Sequence, residues 1–255
     1  MKEKAINRIG LSDRDLLKYN KHILLDDIQV EGIELLNTKH IALIGLGGLG
    51  CPIAQYLATS GLGKLSIIDN DIIEDTNLQR QLLYTQNDVG SYKVDIVKKR
   101  LNILNPDLIV DKHNVQFSDH TSNIIQDADL VIDSTDNFST RSIINKATLL
   151  YKKPLVMGAA IKMQGQVAIF RNDIPNKPCY NCLYNDLDDK NESCLDQGVL
   201  SMLTGLIGNI QAAESIKTLL NFGETLESKL LLIDLKNIGF RIIKIRKDNK
   251  CRVCN

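Results

Sequence analysis

The spacing of apolar positions divides the chain into short alternating elements. Ser12 opens a helix: it can act as a cap, Asp15 follows three residues on, and Leu16, Tyr19 (or Asn20) and Ile23 share a face. His40 to Ile44 reads as a short buried strand, followed by a glycine turn and a helix from about Cys51 to Thr59. Leu65 to Ile68 is the next strand and ends at Asp69. Lys93 to Leu104 has helical spacing and stops at Asn105-Pro106. Leu108 to Val110, Leu130 to Asp133 and Leu155 to Met157 are further strands with helical stretches between them. Strands alternating with helices predict an α/β fold with a parallel sheet covered on both faces.

The pattern changes after about residue 160. Gln164 to Arg171, Leu230 to Leu235 and Phe240 to Arg246 are strand-like and extend the same sheet in antiparallel fashion. Between them Ser201 to Asn221 is a helix with Met202, Leu203, Leu206, Ile207, Ile210, Leu219 and Leu220 inward. There is no internal repeat and no linker. Arg171 to Gly198 is a polar stretch holding two of the five prolines. A loop of that length inside a compact domain is usually functional or disordered.

Composition narrows the function classes. A chain of 255 residues, 44% hydrophobic and 24% charged, has the balance of a soluble globular protein. It buries roughly 70–75% of its unfolded surface and needs no disulfides to fold. Thirty-one basic against 31 acidic residues give no net charge, which argues against a general nucleic-acid or membrane-surface binder. The stretch Met1 to Asp13 lacks the apolar core of a signal peptide, and the least polar stretch, Val199 to Ile210, is broken by Ser201, Thr204, Gly205 and Gly208. The expected location is the cytoplasm, where cysteines stay reduced, so the six cysteines call for a role other than disulfide bonding.

Gly45-Leu46-Gly47-Gly48-Leu49-Gly50 fits G-x-G-x-x-G between a strand and a helix, and Asp69 ends the next strand 19 residues after Gly50. Glycines let the backbone approach phosphate oxygens, the helix N-terminus adds free N–H groups, and Asp69 can accept from ribose hydroxyls. That context describes a Rossmann-like nucleotide turn without choosing between NAD and ATP. A tight strand–helix turn with no ligand is the plainer reading.

The next segments favour a triphosphate. Asp69 and Asp136 both lie just past strand ends, where ligands bind in open α/β sheets. Asn77, Arg80 and Lys93 lie on intervening segments, and Asn137 follows Asp136. A hydride-transfer site wants an apolar nicotinamide pocket, whereas cations, an asparagine and a carboxylate for Mg²⁺ suit phosphates. Taken singly, each of these residues reads as a solvated surface charge.

Cys179-x-x-Cys182 and Cys251-x-x-Cys254 form two pairs with 68 residues between them. Together they make a tetrahedral Cys₄ zinc site that ties the mid-chain loop to the C-terminal segment. A redox pair or two disulfides are the alternatives, though a thioredoxin-type pair belongs at a helix start after a strand. Cys194, in the polar loop, reads as an inert thiol or as a nucleophile. Cys51 starts a helix, which can lower a thiol pKa, but packing of a small residue is the simpler reason for it. His22, His40, His113 and His120 form no ligand pattern and read as surface or strand-edge residues. The basic run Lys244 to Lys250 reads as a solvated strand end.

GLGGLG, the strand-ending Asp69, Asn77-Leu78-Gln79-Arg80-Gln81, Lys93 thirteen residues on, Ser134-Thr135-Asp136-Asn137 and the two cysteine pairs resemble the ThiF/MoeB/HesA family, bacterial relatives of ubiquitin-activating E1 enzymes. The likeness runs from about Leu11 to Cys254. It implies a single E1-like adenylation fold over 1–255 with a zinc clip. Its parts are an N-terminal helical segment at 1–36, a nucleotide-binding part at 37–160 and a carrier-binding and zinc part at 161–255. The implied reaction adenylates the C-terminal Gly-Gly carboxylate of a ubiquitin-like sulfur carrier (ThiS- or MoaD-like) with Mg·ATP. By motif position Gly45, Gly47, Gly48 and Asp69 hold the nucleotide, Asn77, Arg80 and Lys93 neutralise phosphates, Asp136 takes Mg²⁺ with Asn137 beside it, and Cys179, Cys182, Cys251 and Cys254 hold zinc. Cys194 matches a loop cysteine that in some members links covalently to the carrier.

One departure stands out. The family usually has Arg-Tyr-Asn/Ser-Arg-Gln near the N-terminus, and its second arginine reaches a partner subunit's ATP site. Here the segment is Lys18-Tyr19-Asn20-Lys21-His22, so Lys21 keeps the charge without the bidentate fork. The resemblance implies a homodimer with retuned rather than absent activity; a non-catalytic carrier-binding scaffold and an NAD-dependent oxidoreductase are the rivals. The chain stops one residue after Cys254 with no rhodanese domain, so a separate sulfur donor is expected. Leu24-Leu25-Asp26-Asp27-Ile28 resembles members of thiamine biosynthesis, and Gly158-Ala159-Ala160-Ile161-Lys162 resembles those of molybdopterin biosynthesis.

Overall fold

The computed structural model describes residues 10–184 and 198–255. Eight strands form one sheet in the order β3-β2-β1-β4-β5-β6-β7-β8. Strands β1 (His40–Ile44), β2 (Lys64–Ile68), β3 (Ile109–His113), β4 (Leu130–Asp133) and β5 (Pro154–Ile161) run parallel. Strands β6 (Gln164–Arg171), β7 (Lys229–Asp234) and β8 (Gly239–Lys244) add on antiparallel to β5 and to one another. The expected change from parallel to antiparallel pairing falls at the β5–β6 hairpin.

Both faces of the sheet are covered, and the alternation of side chains along each strand sorts them. Ile41, Leu43, Val156, Val167 and Ile169 point into one core with helices α4 (Gly50–Thr59), α5 (Lys93–Leu104) and α8 (Ser201–Leu220). Ala42, Ile44, Met157, Ala168 and Phe170 point into a second core with α6 (Phe138–Leu150) and the short α7 (Tyr180–Leu183). A third, smaller cluster of Tyr19, Ile28, Ile33 and Leu36 packs the N-terminal helices against Ile216, Leu219 and Leu220 at the end of α8.

The N-terminal region differs from its expected form. Ser12 caps α1 (Asp13–Lys18) in a reciprocal capping box with Asp15, as expected. The helix then breaks at Tyr19 and resumes as α2 (Asn20–Ile23), followed by α3 (Gln29–Thr38). Leu16 is therefore exposed, and Leu17 and Leu24 are 75% and 73% exposed. On α8, Met202 is also exposed rather than inward, because it lies in the first turn, opposite the buried face of Leu203 and Ile207. His40 is buried, not superficial: its ring bonds the Asp127 carbonyl and the Ser66 hydroxyl. No helix among the described residues is long and apolar enough to cross a membrane.

Candidate active site

Strands β1, β2 and β4 end at one level, because Ile44 pairs with both Ile68 and Asp133. The chain leaves β1 at Gly45, whose φ of +92° suits glycine, and a Cβ there would lie 2.9 Å from the Ser134 carbonyl oxygen. A Cβ on Gly50 would lie 2.1 Å from the Gly45 carbonyl, so the turn closes only with glycine at both ends. Gly48 faces Thr204 on α8. Among the described residues the N–H groups of Gly47 and Gly48 have no hydrogen-bond partner, and they sit at the start of α4. That is the arrangement in which a helix N-terminus receives an anion.

The surrounding groups brace this turn. Asp69 accepts from the Leu46 N–H at 2.7 Å and from the Asp71 N–H at 2.8 Å. Burial raises the Asp69 carboxyl above the usual range, and the Lys93 cation beside it opposes the shift. Tyr84 donates to the Leu46 carbonyl at 2.8 Å, clamping the turn from below. Cys51 packs fully buried at the same place with its thiol pushed up to about 12 by burial, which fits the packing role expected of it.

The residues expected to meet phosphate follow β2, Asn77 and Arg80 on the segment after it and Lys93 on α5. Asn77 is buried and its carbonyl oxygen accepts from the Glu74 N–H, which fixes the side chain. Arg80 donates to the Thr76 carbonyl and stays half-buried. Lys93, at the first position of α5, is almost fully buried and pairs with Asp71 at 2.7 Å. A buried cation held by an exposed carboxylate can exchange that partner for phosphate. Asp136 is exposed just past β4, while Asn137 is committed to capping α6 through the Thr140 N–H. The structure thus brings Gly45 to Gly50, Asp69 and Lys93 together at one rim, with Asp136 and Asn137 past the neighbouring strand. Lys21 is exposed on α2. Cys194 lies outside the described residues.

A cavity of about 520 Å³ opens on the face of the sheet that carries α6. Its walls include Phe138 and Arg141, and its floor is the antiparallel extension. Two cross-strand rows form that floor: Ala159, Gln166, Leu232 and Arg241, then Ile161, Gln164, Asp234 and Gly239. Arg141 is buried and donates to the Thr135 carbonyl. Its charge also opposes the upward shift that burial imposes on Asp133, whose Oδ1 accepts from the N–H and hydroxyl of Thr135.

Arg141 and Gln81 escaped the sequence reading. Arg141 carried one signal, a cation three residues before Ile144 on the buried face of its helix. Gln81 is buried beside Gly47 with its Oε1 unpartnered. Nothing in its sequence surroundings separated it from Gln79.

The four paired cysteines converge. Cys179 lies 4.0 Å from Cys182 and 3.8 Å from Cys251, and Cys182 lies 3.5 Å from Cys254, measured between Sγ atoms. All four sulfurs fall within 4.8 Å of one another. Four thiolates placed tetrahedrally around a dication at about 2.3 Å sit about 3.8 Å apart, so the cluster has the spacing of a closed metal site.

Fold and site together define an α/β protein with a glycine turn opening α4 and a cavity on the face of the sheet that carries α6. The ThiF family model matches residues 19–253, and the chain belongs to the ThiF family. It is 38% identical over 245 residues to the molybdopterin-synthase adenylyltransferase of Salmonella typhimurium, covering 96% of this chain and 98% of that protein. It is likewise 38% identical to the sulfur carrier protein adenylyltransferase of Thermus thermophilus, over 94% of this chain and 91% of that one. The adenylyltransferase and sulfurtransferase of Aedes aegypti is 39% identical, but this chain spans only 56% of its length. Among solved structures, Escherichia coli MccB with succinimide superposes with a TM-score of 0.82 at 22% identity, over 96% of this chain and 75% of that one, which shows the shared fold.

Proposed function

We propose that the protein is an ATP-dependent adenylyltransferase acting on the C-terminal carboxylate of a ubiquitin-like sulfur carrier ending in Gly-Gly. One observation carries the reading. β4 leads directly into Ser134, whose hydroxyl donates to the Gly45 carbonyl of the glycine turn at 2.8 Å, and Phe138 and Arg141, a few positions further on, line the cavity. An extended chain end lying in the cavity therefore arrives beside a nucleotide held at Gly45 to Gly50.

In this reaction the carboxylate oxygen attacks the α-phosphorus, the bond to the bridging oxygen breaks, and pyrophosphate leaves with the electron pair. Negative charge builds on the α-phosphate, and fixed cations lower that barrier. The backbone donors of Gly47 and Gly48 and the side chains of Asn77, Arg80 and Lys93 hold the phosphates. Asp69 holds the ribose, and Arg141 neutralises the approaching carboxylate. A magnesium ion, when bound at Asp136, supplies further positive charge. Zinc suits the four-cysteine cluster as a structural ion with no open position.

We further propose that two copies assemble through the N-terminal helices, with Lys21 of one copy completing the site of the other. The exposed Leu17 and Leu24 flanking that lysine support this. Domain parts follow the same division: 1–36 docks the partner copy, 37–160 binds nucleotide, and 161–255 receives the carrier and zinc. Cys194 is proposed as a nucleophile in transfer from the adenylate. Sulfur comes from a separate donor, and the pathway is that of molybdopterin or of thiamine.

The test is exchange of labelled pyrophosphate into ATP with ThiS-like and MoaD-like carriers supplied in turn. Exchange that requires one carrier and its terminal Gly-Gly is expected. Absence of exchange with both carriers, while ATP still binds, overturns the reading.

A further inference from the structure

We infer that Gln166 contacts the incoming chain end directly and that Tyr184 is its positioning residue, an assignment that rests on the adenylation reading. Gln166 stands mid-floor in the cavity, between Ala159 on β5 and Leu232 on β7. It is the one polar side chain between those two apolar neighbours. The Tyr184 hydroxyl donates to its Oε1 at 2.7 Å. A carboxamide has one acceptor oxygen and a nitrogen carrying two donor hydrogens. With the oxygen held, the Nε2 donors are left for a ligand in the cavity that Gln166 lines.

The chemistry of the expected ligand makes that orientation matter. A Gly-Gly chain end has no side chains, so a groove can recognise it only through backbone N–H and C=O groups. A fixed carboxamide donor on an apolar floor matches one backbone carbonyl of an extended segment. A neutral contact of this kind fixes register rather than supplying the charge that catalysis needs, which is Arg141's part.

Tyr184 is itself held firmly. Its ring lies on that of Tyr180, centroids 4.8 Å apart, and Tyr180 packs edge-on against Phe170 at 6.0 Å. Tyr180 sits between Cys179 and Cys182 on the turn that the four-cysteine cluster ties to the C-terminal segment. The cluster thereby orders the hydroxyl that orients Gln166, a link between the metal site and the floor of the cavity.

The experiment compares wild type, Tyr184→Phe and Gln166→Ala, all with metal bound, using a MoaD-like carrier ending in Gly-Gly and the same carrier lacking Gly-Gly. Tyr184→Phe is expected to raise the KM for the intact carrier about three- to tenfold, the loss of one neutral hydrogen bond. The turnover rate, the KM for ATP, the metal content and the melting temperature stay at wild-type values. Gln166→Ala weakens the intact carrier at least as much, and neither substitution changes binding of the truncated carrier. An unchanged carrier KM in Tyr184→Phe, or equal weakening of both carriers, overturns the inference. Weaker binding of the intact carrier alone, in a wild type that catalyses no exchange, overturns the adenylation reading and leaves the chain-end contact standing.

Discussion

The parallel half of the sheet and its antiparallel extension build their shares of the site by different means. In the parallel half, binding groups are mostly backbone: the N–H groups of a glycine turn, presented by β1 and α4 and braced by Asp69 and Tyr84. Of the side chains there, Asn77 is held by the Glu74 N–H three residues away, and Lys93 by Asp71 on the segment after β2. In the extension, the floor is made of side chains standing on the sheet, and Gln166 is held by a side chain from outside it. Tyr184 reaches Gln166 from the cysteine turn, and that turn is tied to residues 251 and 254. The first design tolerates loss of a distant tether; the second depends on it.

That contrast is broken most sharply by removing the tether. Cys179→Ser, or metal stripping by a chelator, is expected to abolish carrier-dependent exchange while ATP binding persists. A loss of several kcal/mol lowers the melting temperature by roughly 10 °C, at about 2–4 °C per kcal/mol for a chain of this size. Calorimetry with ATP and with carrier separates the two halves, and equal loss of both affinities would erase the distinction.

Charge removal at the phosphate rim comes next. Arg80→Ala and Lys93→Ala are each expected to slow exchange about 10²–10³-fold, with carrier affinity near wild type. A smaller effect belongs to the turn itself. Gly50→Ala forces a Cβ against the Gly45 carbonyl, and overpacking of this kind costs about 1–3 kcal/mol, read by chemical denaturation together with weaker ATP binding.

The smallest effect is a pH dependence. Burial raises the folded-state pKa of Asp69, so the folded chain keeps that proton to higher pH than the unfolded chain does. Its stabilising contribution is complete below the unfolded-state pKa and is lost as pH rises through the folded one. Asp69→Asn removes that loss. The variant's melting temperature is therefore expected to gain on wild type as pH rises across this window, while its ATP affinity falls. Melting curves across the acidic range check the first expectation, and a parallel slope for the two proteins would contradict it.

Strand legibility did not follow this division. Strands buried on both faces are continuous apolar runs, and His40 to Ile44 and Leu130 to Asp133 were bounded to the residue, but so was the antiparallel Gln164 to Arg171, while Leu108 to Val110 and Leu155 to Met157 fell short of β3 and β5. The glycine turn is a local backbone requirement and shows itself as a motif. The four cysteines were legible because their chemistry restricts the residue type. Arg141 and the Tyr184–Gln166 pair were not: an arginine within a helix does not announce that it turns back to the Thr135 carbonyl, and Tyr184 meets Gln166 only in the folded chain. The first helix was read as continuous because Leu16, Tyr19 and Ile23 keep helical spacing across the break at Tyr19; Tyr19 is buried in the third cluster, and of that face Leu16 meets solvent.

In the proposed reaction this cleft joins a protein's terminal carboxylate to AMP. Rapid acid quench of enzyme, Mg·ATP and carrier, followed by mass spectrometry of the intact carrier, tests it most directly. The account predicts a carrier bearing one AMP at its C-terminus, formed together with one pyrophosphate and absent when Gly-Gly is deleted. An unmodified carrier alongside ATP converted to ADP and phosphate would contradict it.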